Sequence, residues 1–192
     1  DEEGCQFNDG VVTTPTGFKE AYKQYVDGGW PSMSHPVEYG GQGLPYSLAT
    51  SMAEWFSGAN HSWAMYPGLS QGCMETLKAH GTEEQKKIYL EKLIEGSWTG
   101  TMCLTESHCG SDLGMLKCKA EPAEDGTYKL TGTKIFISAG EHDMSDNIVH
   151  IVLARLPDAP AGTRGLSLFI VPKFNLYARA NITYRNSLRS GF

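Results

Sequence analysis

Met102-Cys103-Leu104-Thr105-Glu106-Ser107-His108-Cys109-Gly110-Ser111-Asp112 is the stretch on which the reading of this chain turns. A short apolar run stops at Thr-Glu, and a turn of small residues, Gly-Ser-Asp, follows at once. A second apolar run, Lys134-Ile135-Phe136-Ile137-Ser138-Ala139-Gly140, also ends in small and hydroxyl-bearing residues. Two strand ends of this kind bring backbone N–H groups and hydroxyls to the edge of one flat polar ligand. Leu104-Thr105 and Ile137-Ser138 offer the donors, Phe136 a bulky face, and Gly110-Ser111 a close backbone approach to a pyrophosphate. A flavin ring, apolar on its faces and polar along its edge, suits such a site. The residues alone permit this site but favour an ordinary β-turn between core strands.

Outward from this stretch the texture differs on the two sides. Before it, periodic apolar faces predict helices: Gly17 to Asp27 capped by Thr16, Tyr46 to about Ser57, a further helix after Asn60 to Leu77, and one opened by Thr82. Thr82-x-x-Gln85 fits a capping box, with Ile88, Leu90, Leu93 and Ile94 as the buried stripe and Gly96 as the stop. Residues 1 to 16 read as a loop. The glycine-dense Glu38 to Pro45 lacks both the preceding strand and the Lys-Ser/Thr of a phosphate loop, and reads as a helix-connecting turn.

From Trp98 onward short strand-like runs take over: Trp98 to Thr105, Met115 to Ala120, Tyr128 to Thr131, Lys134 to Ser138, Ile148 to Leu156 and Leu166 to Val171. Asp125-Gly126 is a hairpin signal. The expected fold is α+β: an N-terminal α-helical domain over 1–97, then a middle β domain over 98–174 built as a barrel or sandwich. A Tyr/Arg/Asn-rich tail, 175–192, stands apart from both.

The chain has 192 residues, with 22 acidic and 16 basic side chains giving a net charge of -6. That balance argues against a nucleic-acid partner, which needs a clustered basic face. No apolar run approaches the roughly 20 residues of a membrane-spanning helix. Five cysteines without a Cys-x-x-Cys pair read as reduced thiols in a cytoplasmic protein. No metal-ligand spacing is present. A Cys109–His108 nucleophilic pair is disfavoured because neighbours on extended backbone point apart. Gly110-Ser111-Asp112 lacks the Gly-x-Ser-x-Gly elbow of a serine hydrolase.

Cys103-Leu104-Thr105-Glu106-x-x-x-Gly110-Ser111-Asp112 resembles the hallmark motif of the flavin-dependent acyl-CoA dehydrogenases. Leu130 to Gly140 resembles that family's next block, and Gly40 to Gly43 and His80 to Lys86 match further landmarks in order. Gly140 to Met144 through Leu153 to Leu156 is similar to a branch that includes enzymes acting on 3-methylmercaptopropionyl-CoA. The resemblance implies FAD as cofactor, with Leu104 and Thr105 at the flavin edge and Gly110 and Ser111 by the pyrophosphate or the acyl-CoA. Phe136 would lie on the ring and Ser138 near its reactive nitrogen. Cys109 stands where the family carries a small residue, and Met115 likewise, so both place bulk beside the ligand turn.

The resemblance further implies α,β-dehydrogenation of an acyl-CoA thioester, a homo-oligomer, and an electron-transfer flavoprotein or similar acceptor. The family's general base comes from a C-terminal helical domain that this chain is expected to lack, so no catalytic residue is assigned. Glu106 is expected to hydrogen-bond structurally. The chain opens without Met and is expected to be a piece of a longer protein, with a truncated or frame-shifted end after Phe174. An inert helical-plus-β module and a flavoprotein of the alkylation-response type are the competing readings.

Overall fold

The computed structural model describes residues 2–174; the tail set apart above lies outside them. The α+β order holds, with helices first and strands after residue 98. Before the helices comes a short antiparallel hairpin, β1 (Gln6–Asn8) and β2 (Val11–Thr13), where a loop was expected. Its turn, Asp9-Gly10, has φ of 48° and 79°. That is the left-handed pair which a tight hairpin demands and Asp-Gly supplies.

Helix α1 spans Phe18–Asp27, but its N-cap is Gly17 at φ 87°, not Thr16. The Thr16 hydroxyl donates instead to the Glu3 carboxylate at 3.0 Å. Helix α2, Tyr46–His80, is broken at Asn60 (φ -158°, ψ 97°), so two helical segments meet there as expected. Asn60 Oδ1 accepts the Trp63 N–H at 3.0 Å and so caps the second segment. Pro67 sits inside that segment, beyond its first turn. The third helical run, α3, combines an α turn (Glu83–Gln85), a π turn (Lys86–Leu90) and an α turn (Glu91–Glu95). Its capping box is formed in full by Thr82 and Gln85, and Gly96 ends it at φ 85°.

The strands β3 (Trp98–Cys103), β4 (Lys119–Pro122), β5 (Tyr128–Thr131), β6 (Asn147–Arg155) and β7 (Leu166–Pro172) form one mixed sheet. Strand β3 runs parallel to β6, which pairs antiparallel with β7 on its other edge. Only Lys119 of β4 pairs with β6, opposite Arg155, and β5 closes the antiparallel hairpin with β4. Two expected strands need correction. Met115 to Ala120 is strand only from Lys119, because Leu113–Met115 winds into a 3-10 turn. Lys134 to Ser138 is not a strand, since Phe136 and Ala139 take φ of 56° and 54° and break any ladder.

The central strands β3 and β6 are buried almost throughout, as parallel strands covered on both faces are. One core cluster joins Cys73, Met74 and Leu77 of α2 and Leu90, Leu93 and Ile94 of α3 to Trp98, Val149 and Ile151 of the sheet. Gly100 lies so close to α2 that a Cβ there would come 2.3 Å from the Cys73 Cβ, and its N–H donates to Ser70 Oγ at 3.0 Å. The helical part therefore rests on the sheet without an intervening layer. A second cluster, Tyr22, Tyr25, Met52, Trp63 and Met144, packs the aromatic rings of α1 and α2 together.

Buried histidines line the opposite face of β3. His142 Nδ1 accepts the Met144 N–H, so its Nε2 carries the proton and donates to Thr99 Oγ1 at 2.9 Å. His150 pairs across the ladder with Thr101, Nδ1 to Oγ1 at 2.7 Å. Burial, reinforced by the Lys173 ammonium, pushes both imidazoles down to about 4. Burial also lowers His35. Unfolded histidine titrates near 6.5, so the unfolded chain binds more protons between pH 6.5 and 4, and stability falls as pH falls through that window. Denaturant midpoints measured from pH 7.5 to 4.5 should drop mainly below pH 6.5, and His142→Gln should flatten that slope.

Candidate functional site

The site is a hairpin and a facing loop at the C-terminal end of β3. After Cys103 the chain runs on through Leu104 and Thr105 to Glu106, which pairs with Cys109 through N–H···O bonds of 2.8 and 3.1 Å. Ser107 and His108 form the two-residue turn between them. The facing segment comes alongside through the Ile135 N–H, which donates to the Thr105 carbonyl at 2.9 Å. The two runs singled out from sequence are therefore neighbours in space.

What locks them together is a buried ion pair. Lys134 Nζ lies 2.9 Å from Glu106 Oε1, with side chains only 1% and 5% exposed. The same ammonium donates to the Leu104 carbonyl at 3.0 Å. Glu106 also accepts the N–H groups of Lys117 at 2.8 Å and Cys118 at 2.9 Å. Burial opposes ionisation of this carboxyl, but the donors Lys117, Lys134 and Cys118 outweigh it and hold it below the usual value. Glu106 is thus the structural hydrogen-bonding residue expected from sequence. Lys134 was missed, although a lone lysine within an apolar run, facing a lone glutamate in the other, was the available signal.

The six candidate ligand residues share this end of the sheet. Leu104 and Thr105 are half-buried, while Gly110, Ser111, Phe136 and Ser138 are exposed. A Cβ on Gly110 would press on Thr105 Cγ2 at 3.3 Å, so a side chain there would have to displace the Thr105 methyl by a few tenths of an ångström. Phe136 is 76% exposed at φ 56°. An unprotected aromatic ring on left-handed backbone costs about 1–3 kcal/mol of strain and persists where the surroundings impose it, often at ligand sites. The arrangement is an open ledge with an aromatic plate, two hydroxyls and main-chain edges. Hollows of about 500 and 320 Å³ lie elsewhere, beside α1 and α3, and none of the six residues lines them.

Cys109 and Met115 part company here. Cys109 is buried against Leu116, Cys118, Ala120 and Ala154, so its bulk points into the core and away from the ledge. Met115 is 53% exposed, and its bulk stays at the surface. Arg155 ties the loop after the motif, donating to the carbonyls of Leu116 (2.7 Å), Gly114 (2.6 Å), Gly162 (2.9 Å) and Pro160 (3.2 Å). Ligand atoms of Glu106, His108 and Cys109 come within 4.8 Å of one another, a closeness that sequence spacing did not suggest. The carboxylate there is already held by Lys134 and two N–H groups, and the His108 Nε2–H donates to the Met115 carbonyl at 3.0 Å, so the trio is a hydrogen-bonded hub.

Comparison with known proteins gives the geometry its context. Residues 11–97 match the acyl-CoA dehydrogenase N-terminal domain and residues 101–188 the middle domain of the same family. The chain belongs to the acyl-CoA dehydrogenase family. The family match runs to residue 188, beyond Phe174, where the sequence reading ended the resemblance. Among relatives, the 3-methylmercaptopropionyl-CoA dehydrogenase of Ruegeria pomeroyi is 50% identical over 188 residues, covering 98% of this chain and 32% of that protein. The chain thus spans about a third of that relative's length. A solved acyl-CoA dehydrogenase complexed with FAD, from Bacillus anthracis, is similar at TM-score 0.67 and 32% identity, over 81% of this chain and 25% of that one. A structure described as the electron transferring flavoprotein of Acidaminococcus fermentans is similar at TM-score 0.70 and 30% identity, over 81% and 40%.

Removing the Glu106 carboxylate leaves the Lys134 ammonium buried and uncompensated. Glu106→Ala should cost about 3–5 kcal/mol in chemical denaturation, whereas Glu121→Ala on the exposed surface of β4 should stay within about 0.5 kcal/mol.

Proposed function

We propose that this chain forms the helical and flavin-facing part of an FAD-dependent acyl-CoA dehydrogenase. The reaction is α,β-dehydrogenation of an acyl-CoA thioester, with 3-methylmercaptopropionyl-CoA as the favoured substrate on the 50% identity to the Ruegeria enzyme. The observation that carries the reading is the ledge itself: Leu104-Thr105 and Phe136 to Ser138, distant in sequence, meet through the bond from Ile135 N–H to Thr105. Their donors and the exposed Phe136 ring match the polar edge and apolar face of a flavin.

Bound FAD would supply the two-electron acceptor for the dehydrogenation. Leu104 and Thr105 would hold its edge through main-chain and hydroxyl groups, and Phe136 would cover a ring face. Ser138 offers a hydroxyl close to that plate, and Gly110 and Ser111 admit the pyrophosphate or the acyl-CoA. Glu106 is unsuited to remove the substrate's α-proton, because it is buried and committed to Lys134, Lys117 and Cys118. A base near reacting carbon needs a free lone pair within hydrogen-bond reach, and on the family resemblance the proposal places it outside the described residues. An electron-transfer flavoprotein is the proposed acceptor, supported by the likeness to the Acidaminococcus structure. A homo-oligomer in the cytoplasm completes the proposal. The five free thiols fit a reducing compartment, and among the described residues no helix is long and apolar enough to cross a membrane.

The protein at its natural length should purify with flavin absorbance, bleached anaerobically by 3-methylmercaptopropionyl-CoA or another acyl-CoA. A protein that takes up FAD but is bleached by no acyl-CoA would refute the activity, and one that takes up no FAD would refute the cofactor. Phe136→Gly separates ligand from fold: without the left-handed strain the apo protein should lose no stability, while FAD affinity falls about 10-fold.

A further inference from the structure

Lys134 sits where its ammonium decides the direction of one main-chain donor. Among the described residues the backbone has no cis peptide bonds, so the C=O and the N–H of each peptide unit there point to opposite sides. The Leu104 carbonyl is held on the inner side by Lys134 Nζ at 3.0 Å. The Thr105 N–H, on the far side of that same peptide plane, therefore points away from the lysine. The next peptide obeys the same rule: the Thr105 carbonyl accepts from Ile135, and the Glu106 N–H, pointing the other way, donates to Cys109.

We infer that Lys134 is a positioning residue: anchored by Glu106, it turns the Leu104–Thr105 peptide so that the Thr105 N–H faces the flavin edge. This inference rests on the flavin reading above. The lysine itself does not touch the ligand. Its side chain is 1% exposed, and its positive charge is matched by Glu106 Oε1 at 2.9 Å. The carboxylate is fixed in turn by the N–H groups of Lys117 and Cys118, which lie beyond the turn. The aim of one donor at the end of β3 thus depends on a carboxylate clamped from the far side of the hairpin. A lysine is suited to this task, because a single ammonium donates in several directions at once.

The test compares Lys134→Met and Lys134→Arg with the unaltered protein at its natural length. FAD affinity is read by titration, and the flavin carbonyl stretching frequency by infrared difference spectroscopy. K134M should bind FAD at least 10-fold more weakly, and its bound flavin should show a carbonyl stretch shifted upward by loss of a donor. K134R, which keeps a charged donor, should restore most of the affinity and the lower frequency. A lysine that serves only the fold would instead lower the melting temperature and leave affinity and frequency per folded molecule unchanged, and that result overturns the inference. Should K134M fail to fold, Lys134→Gln carries the same comparison with a neutral donor. Failure of both to fold also overturns the inference, since the lysine would then be required by the fold as a whole. Absence of FAD binding in the unaltered protein would sink the flavin reading and this inference with it, an outcome distinct from equal binding by K134M and the parent.

Discussion

The buried ion pair of Glu106 and Lys134 is the constraint on which the candidate site of this chain depends. Neither charge could remain in the interior alone, because each would forfeit its hydration without return. Together they are satisfied by four contacts that reach three separate stretches: the end of β3, the loop before β4 and the irregular segment after β5. An apolar pair of equal volume would fill the space. It would not fix where the Leu104 carbonyl points or where the Lys117 and Cys118 N–H groups find an acceptor. Polar groups here specify an arrangement that packing alone leaves undetermined.

The layers beneath serve the same end. Cys73 against Gly100 brings α2 into direct contact with β3, and the Ser70 hydroxyl takes up a backbone N–H that the helix would otherwise cover. The threonines on the other face of β3 are taken by His142 and His150. With both faces of β3 occupied, its end is the part left to present a ligand edge. The left-handed Phe136 follows from this geometry, since the facing segment pairs with Thr105 at Ile135 and must then turn away.

Much of the helical part was legible because its signals are local. Thr82 and Gln85 announce their capping box within four residues, Gly96 its stop, and Asn60 its break. Asp125-Gly126 marked the β4–β5 hairpin for the same reason. Asp9-Gly10 carried an equal signal, but the flanking runs are only three residues each, so the hairpin was read as loop. Lys134 to Ser138 was misread because three successive apolar residues, Ile135 to Ile137, look like a strand until the backbone shows that residue 136 cannot extend one. The two runs that meet through Ile135 and Thr105 were singled out from their motifs. The ion pair behind them was not, because Glu106 and Lys134 are brought together only by the path of the chain through β4 and β5.

Strand β3 pairs in parallel with β6, Trp98 against Asn147 and Cys103 against Val152. A parallel partner cannot be reached by a tight turn, so everything between the two strands, the whole ledge included, is a single long excursion. Closing a loop of that length costs entropy before any ladder bond returns it, and such pairings form slowly. The helical part, rich in local contacts, can assemble while this excursion is still open. The candidate ligand edge would then be among the last surfaces to acquire its shape during folding.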